Sequence, residues 1–361
     1  MRELIETIDA WQAEGVDFGR AVVVRTFGSA PRPAGAVLLA ATDGRLAGSV
    51  SGGCVEGAAF EQISAARSDD RARVIRYGIS DEQAWDVGLA CGGTIDVLVE
   101  PRLRPEIARA ARTAGICVAI PLPADAPPAE FGPAAPAQGE VPPAIVLVAE
   151  DGSLTGSLGS VAADTALRTA ALNALDRGES STVEIEGRQV FLEAYPIRPR
   201  LVIVGAVEVA RFLVRFAAEL GYETIVIDGR ASFATAARFP DVDQLIVGWP
   251  DEVADQIGLG PRDAVAVLTH DVKFDEPAIV EALRRGCRYV GAVGSRKTQG
   301  DRRERLREAG LTDAQLDQLR GPVGLDLGGR APAETALAII AEVVAERRGG
   351  SGRPMRERVQ A

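Results

Sequence analysis

The chain has 361 residues, which is room for about two domains. Its 47% hydrophobic and 25% charged content is that of a globular protein, and no apolar run approaches the ~20 residues needed to span a bilayer. A formal net charge of −11 disfavours nucleic acid as a general partner, so an anionic ligand needs local help from arginines, lysines or helix N-termini.

The opening MRELIETIDAWQAEG is acidic and amphipathic, unlike a signal peptide. A strand expected over 21–25 leads into Thr26-Phe27-Gly28-Ser29-Ala30-Pro31-Arg32-Pro33. That loop offers hydroxyl, amide and guanidinium groups suited to a phosphate or carboxylate; a plain Gly/Pro connection is the alternative. Residues 36–51 read AVLLAATDGRLAGSVS, an apolar strand, an Asp-Gly hairpin turn and a second short strand.

The hairpin runs into Ser51-Gly52-Gly53-Cys54-Val55-Glu56-Gly57. The spacing of Val55, Ala59, Phe60 and Ile63 predicts a helix over 55–66, with Cys54 at or just before its N-terminus. Unpaired amides and the helix dipole there favour a bound anion and a thiol of lowered pKa. The alternative is a tight turn around a small buried cysteine. A second Gly/Cys loop, Gly88-Leu89-Ala90-Cys91-Gly92-Gly93, precedes the strand TIDVLVEP at 94–101.

Residues 144–159, AIVLVAEDGSLTGSLG, repeat the first hairpin with about half the positions identical. A helix over 161–177 and the strand QVFLEAYP at 189–196 follow, so the first domain reads as two related α+β halves. Only the first copy continues with the cysteine, the glycine pair and the glutamate. The Pro/Ala-rich stretch 121–144 between the copies reads as an exposed loop. Cys54, Cys91, Cys117 and Cys287 form no CxxC pair, which argues against a zinc cage or a disulfide framework and fits a reducing cytoplasm.

From about residue 199 the pattern changes. LVIVGAVEVARFLVRFAAELGYETIVIDGR reads strand, turn, helix, strand. Strands at 244–248, 264–269 and 288–293 alternate with helices near 275–285, 296–309 and 332–346, predicting a Rossmann-like, doubly wound parallel sheet over 199–346 and a frayed tail over 347–361. The glycine turn keeps Gly205 and Ala210 of the dinucleotide fingerprint. Val207 stands where the second glycine should be, and Glu208 adds negative charge where a phosphate would sit. Asp228 ends the next strand and suits a ribose hydroxyl, yet the turn as a whole opposes a diphosphate, so NAD(P) is not expected.

Thr269-His270-Asp271-Val272-Lys273 follows an apolar strand at the end where such sheets bind ligands. His270 is the only histidine; alone it makes no multi-histidine metal site, but it suits a proton donor or ligand contact. Ser295, Arg296 and Lys297 open a helix after another strand, again suited to an anion. The chain's two lysines, Lys273 and Lys297, both fall in these turns. Gly324-Leu325-Asp326-Leu327-Gly328-Gly329-Arg330 precedes Pro332 at the start of the last helix.

Taken together, GSAPRPAGA (28–36), GSVSGGCVEGA (48–58), CGGTIDVLVEP (91–101), THDVKFDEPAI (269–279), YVGAVGSRKT (289–298) and VGLDLGGRAPAETALAIIAEVVA (323–345) resemble the XdhC/CoxI family, accessory factors of xanthine dehydrogenase and related molybdenum hydroxylases. The family turn usually reads like GAGHVA, and this chain has GAVEVA. The resemblance implies a molybdenum cofactor chaperone more than a catalyst. Molybdopterin would be bound cargo, shielded while a cysteine desulfurase-type partner installs the terminal sulfido ligand, then passed to a hydroxylase of the xanthine dehydrogenase or CO dehydrogenase type. The implied cofactor contacts are Gly28, Ser29, Arg32, Ser51, Gly52, Gly53, Cys54, Glu56, Cys91, Gly92, His270, Lys273, Ser295, Arg296 and Lys297. Cys54 or Cys91 would touch molybdenum or its sulfur, and Glu56 would orient the pterin. A cytoplasmic homodimer is expected. The competing readings are a nicotinamide-dependent oxidoreductase and an assembly partner that binds no cofactor.

Overall fold

The computed structural model describes residues 1–78, 93–122 and 144–357, and the chain divides into Met1–Ile197 and Arg198–Ala361. In the first unit the duplication extends well beyond the hairpins. α1 (Ile5–Ala13) precedes β1 (Phe18–Phe27), β2 (Val37–Ala41), β3 (Leu46–Gly48), α2 (Glu56–Asp69), β4 (Arg73–Gly78) and β5 (Thr94–Glu100). α3 (Pro105–Arg112) then precedes β6 (Ile116–Pro121), β7 (Val146–Ala149), β8 (Leu154–Thr155), α4 (Val161–Arg177), β9 (Ser181–Ile185) and β10 (Arg188–Tyr195). The two five-stranded antiparallel sheets have the same order, β3-β2-β1-β5-β4 and β8-β7-β6-β10-β9. The expected loop at 121–144 starts later than its composition suggests: Pro121 ends β6 and Leu122 is buried, bonded through its amide to Gln189 O.

Period-two alternation sends each strand's side chains to two cores. Ala21, Val23, Leu38 and Val97 pack with Ala59 and Ile63 of α2; Cys117, Ala119, Val148 and Leu192 pack with Leu167 and Ala171 of α4. The opposite faces of both sheets meet in one cluster, where Val22, Leu39 and Leu98 join Val118, Ile120 and Phe191, with Ile8 and Trp11 of α1 and Ile107 of α3. Arg20 lies in this apolar layer. It is fully buried, ion-paired through Nε to Glu100 and bonded at 3.0 Å to Glu193 of the second sheet, which also accepts the Tyr195 hydroxyl at 2.6 Å. Burial works against the guanidinium charge, but the two carboxylates outweigh it and hold the group protonated.

The second unit is the doubly wound sheet read from the sequence. It contains β11 (Arg200–Val204), α5 (Glu208–Glu219), β12 (Glu223–Asp228), β13 (Gln244–Val247), α6 (Pro250–Gln256), β14 (Asp263–Val267), α7 (Val272–Arg284), β15 (Tyr289–Ala292), α8 (Arg296–Glu308), α9 (Asp313–Leu316), β16 (Leu319–Arg320) and α10 (Pro332–Arg348). All six strands run parallel in the order β13-β12-β11-β14-β15-β16, so the direction of winding reverses between β11 and β14. Val202, Ile225, Val265 and Val267 face α6 and α7, whereas Leu201, Ile203, Val226 and Ala266 face α5 and α10. The tail expected from 347 begins later: α10 continues to Arg348 and stops at Gly349, whose φ of 66° forms a left-handed cap. Among the described residues no helix is long and apolar enough to cross a membrane.

Candidate functional site

Three of the sequence motifs emerge at one end of the first sheet. Phe27, the last residue of β1, pairs with Thr94, the first of β5, and Gly78 at the end of β4 pairs with the same residue. Near the start of β2, Leu38 pairs with Gly48 at the end of β3. The loops at 28–36 and 49–55 and the chain entering Thr94 therefore share an edge. Gly93 touches the first of them: a Cβ there would lie 2.8 Å from Ser29 O and Ala30 N, so only glycine fits. Ala30, Val50 and Val55 all pack on the α2 side of the sheet. Cys91 and Gly92 lie outside the described residues.

The 49–55 loop is organised by side chains of its own. Glu56 Oε1 accepts from Ser49 Oγ at 2.6 Å, Val50 N at 3.2 Å and Ser51 N at 3.0 Å. Its Oε2 accepts from Ser51 Oγ at 2.6 Å and Gly53 N at 2.9 Å. Ser51 Oγ in turn accepts from the amides of Cys54 and Val55, both at 3.0 Å, and Ser49 Oγ accepts from Gly52 N at 2.8 Å. Burial would raise the Glu56 carboxyl, but the two serine hydroxyls and the loop amides prevail and bring it down to about 2. This corrects two expectations. The loop amides from Val50 to Val55 are already paired, three of them with Glu56, which is itself the anion at this helix start. Glu56 is thereby committed to shaping the loop, with both oxygens engaged.

Gly52 and Gly53 adopt φ of 85° and 121°, and a Cβ on either, or on Gly57, would meet nothing within 4 Å. Bare backbone beside the half-buried Cys54 thus faces open space. Cys117 and Cys287 are buried, and burial pushes both thiols up to about 12. Arg32 reaches toward Glu3 at 3.7 Å and is partly exposed.

The second copy carries a counterpart of the staple. Asp164 accepts from Ser157 Oγ at 2.8 Å and Leu158 N at 2.7 Å, and Gly159 N donates to Ser157 Oγ at 2.9 Å. The acid is therefore present in both halves. What distinguishes the first is the glycine pair and the cysteine above it.

In the second unit the loops after β11, β12, β13 and β14 line a cavity of about 760 Å³ at the winding reversal, with Val207, Asp228, Arg230, Trp249, His270 and Lys273 among its walls. Gly205 has φ of 110°, and a Cβ on it would come within 2.5 Å of Thr269 Cγ2. Val207 lines the cavity, Ala210 is buried beneath the turn, and Glu208 pairs with Arg211 at 2.8 Å. Asp228 is not free for a ribose hydroxyl. It accepts from Ala206 N at 2.8 Å and from Arg230 through N, Nε and Nη2 at 2.9, 2.9 and 2.7 Å. Burial opposes the Asp228 charge, yet the Arg230 and Ala206 donors hold its pKa below the usual range.

Under the cavity floor, Thr269 donates to Asp275, whose other oxygen meets the buried Arg302 at 3.1 Å. Burial raises Asp275 to about 6 despite these partners. His270 and Lys273 are exposed on the rim. Ser295 caps α8 through Thr298 N at 3.1 Å, leaving Arg296 and Lys297 exposed on its first turn, beside the cavity loops but not lining it. Sequence reading passed over Arg230 and Trp249. The signals available were an arginine two residues beyond the acid of β12 and an aromatic just after β13. Among the described residues no group of three or more His, Cys, Asp or Glu side chains is arranged to hold a metal ion.

Residues 201–343 match the model of the XdhC Rossmann domain, and residues 11–78 match that of the XdhC and CoxI family. Over 330 residues the chain is 28% identical to a protein of Bacillus subtilis (strain 168) named as a probable xanthine dehydrogenase subunit, with 91% of this chain and 92% of that one covered. The molybdenum cofactor insertion chaperone PaoD of Escherichia coli (strain K12) is 28% identical over 347 residues, across 94% and 88% of the two chains. A crystal structure described as a xanthine dehydrogenase from Bacillus halodurans shares the fold, with a TM-score of 0.68 at 24% identity over 98% of this chain and 97% of that one. Two segments that together span more than half of the sequence match models of one family, and relatives align along nearly all of it: the chain belongs to the XdhC and CoxI family.

Proposed function

We propose that this protein is a maturation factor that holds the molybdenum cofactor and delivers it to a molybdenum hydroxylase of the xanthine dehydrogenase type. Similarity to an insertion chaperone along nearly the whole chain supports the role. The observation that carries the choice of site is the stapled loop: Cys54 beside Gly52, Gly53 and Gly57, with open space over the glycines. Because Ser49, Ser51 and Glu56 fix every amide from Val50 to Val55, the loop is rigid before cargo arrives and loses little order on binding. A thiol held in such a frame suits a soft metal or its sulfur. Ser29 and Arg32 on the neighbouring loop, together with Cys91 and Gly92 of the sequence motif before Gly93, would complete the cradle. A chaperone needs no acid–base pair here, only a surface that grips the cargo and releases it.

In this reading a cysteine desulfurase-type donor supplies the terminal sulfido ligand while the cofactor is held, and the protein works as a cytoplasmic homodimer. A xanthine dehydrogenase-type client is preferred over a CO dehydrogenase-type one by the name of the Bacillus subtilis relative. The nicotinamide-dependent alternative is disfavoured by Val207 and by the pairing of Asp228 with Arg230.

The test is cofactor content. Protein purified from a molybdenum-replete host is expected to carry molybdopterin detectable by mass spectrometry, and Cys54→Ala to carry about tenfold less, equivalent to ~1.4 kcal/mol. Equal retention when Cys54 and Cys91 are both replaced would show that the cysteine loops are not the site.

A further inference from the structure

We infer that the crevice at the carboxyl edge of the second unit's sheet binds a nucleoside monophosphate, its base against Trp249 and its phosphate between Lys273 and His270. The cavity measures about 760 Å³ and sits where winding reverses between β11 and β14, the place where open α/β sheets take ligands. Val207, Leu268 and Phe274 give it apolar walls. Trp249, just beyond the end of β13, lies at its edge with 44% of its surface exposed and its ring 5.5 Å from that of Phe274. An indole fixed from behind and open in front is a stacking face for a flat heterocycle.

The usual occupant of such a crevice is a dinucleotide, and three features close the path of its pyrophosphate. Val207 takes the place of the glycine that admits it. Glu208 puts a carboxylate at the start of α5. The Ala206 amide, which would face the phosphates, donates to Asp228 instead, at 2.8 Å. The same pairing removes the carboxylate that would hold the ribose diol, since each Asp228 oxygen already accepts two donors. What remains is an aromatic wall, the cations Arg230 and Lys273, and one further carboxylate, Asp271, whose Oδ1 already accepts the Lys273 amide at 3.0 Å as the cap of α7. Arg230 is fixed by Asp228 and stacked 3.9 Å over Phe233, a preorganised guanidinium at the mouth. Lys273 and His270 line the same cavity, and among the described residues neither makes a side-chain hydrogen bond or ion pair. One fixed and one unpaired cation beside a flat apolar wall suit a ligand with one ring system and one phosphate.

Binding of AMP, GMP, CMP and UMP to the full-length chain, followed by calorimetry and tryptophan fluorescence, tests this. At least one is expected to bind with a Kd near or below about 100 μM, and about tenfold tighter than its unphosphorylated nucleoside and than NAD+. Lys273→Ala is expected to weaken it about tenfold, and the emission change on binding is expected to vanish in Trp249→Phe. No monophosphate bound below millimolar concentration, NAD+ equal to the best of them, or full affinity in Lys273→Ala would each overturn the assignment. Because the readout needs no molybdenum cofactor, its failure is distinguishable from failure of the cysteine-loop site.

Discussion

Glu56 and Asp164 occupy equivalent places in the two halves of the first unit, each accepting the hydroxyl of the serine seven residues earlier, at 2.6 and 2.8 Å. Glu56 accepts five hydrogen bonds in all and Asp164 two. Bonds to an ionised carboxylate are worth about 1.5–3 kcal/mol each when buried, and less where water competes. Glu56→Ala is therefore expected to cost about 2–3 kcal/mol in urea unfolding and Asp164→Ala about 1 kcal/mol. An equal or reversed ranking would mean that the staple does not hold the cysteine loop.

The same staple has a pH signature. The folded Glu56 carboxyl titrates near 2, against an ordinary value of 4.5. A depressed acid stabilises the fold fully above its unfolded value and loses that contribution as pH falls toward the folded one. Wild-type stability is expected to decline more steeply than that of Glu56→Gln between pH 4.5 and about 2, measured by thermal unfolding at stepped pH.

Asp275 behaves in the opposite sense. Its folded value is raised from 3.8 to about 6, so the native state binds the extra proton in that window. Stability should fall as pH climbs from 3.8 to about 6, and Asp275→Asn should flatten that limb. A variant curve parallel to wild type would remove Asp275 as the source.

Arg20 joins the two sheets through Glu100 on one and Glu193 on the other. Arg20→Met strips the buried Glu193 of its cation and leaves Glu100 with Arg104 alone, and is expected to cost about 3–5 kcal/mol. Adding Glu193→Gln should recover part of the loss, because the uncompensated charge goes with it. Chemical denaturation of the single and double variants checks this.

Gly205→Ala is expected to destabilise by about 2 kcal/mol or more. The left-handed backbone and the approach to Thr269 Cγ2 both resist a methyl group. A compensating Thr269→Ser, which deletes that methyl, should recover the steric part and leave the backbone part. Melting temperatures of the two variants separate the contributions.

Much of the fold was legible because it is written in periodicity. Asp-Gly turns between apolar runs located both hairpins, and alternating strands and helices located the parallel sheet. The short helices α3 and α6, in Pro- and charge-bearing segments, carry too few turns to stand out. Arg20 was invisible for another reason: a single charge inside an apolar strand looks like a surface position until the second sheet supplies its partners. At the cysteine loop the residue types were readable but their allegiance was not. A loop with free amides and one whose amides are already bonded to a glutamate three to six residues on have the same composition, and only the folded arrangement distinguishes them. Arg230 and Trp249 were likewise in plain view, but their relation to the crevice depends on which strand ends lie side by side.

The duplicated sheet order has an evolutionary consequence. In the second half, β9 and β10 are joined by the tight Glu186-Gly187 turn, both residues at positive φ, where the first half inserts the stretch 79–92 between β4 and β5. A sheet of this order closes without that stretch. The segment bearing Cys91 is then an insertion relative to the second half, which forms the same sheet order without one. Grafting the two-residue turn into the first half in place of residues 79–92 would give both halves the same strand connections, as an ancestor made by one duplication would have had.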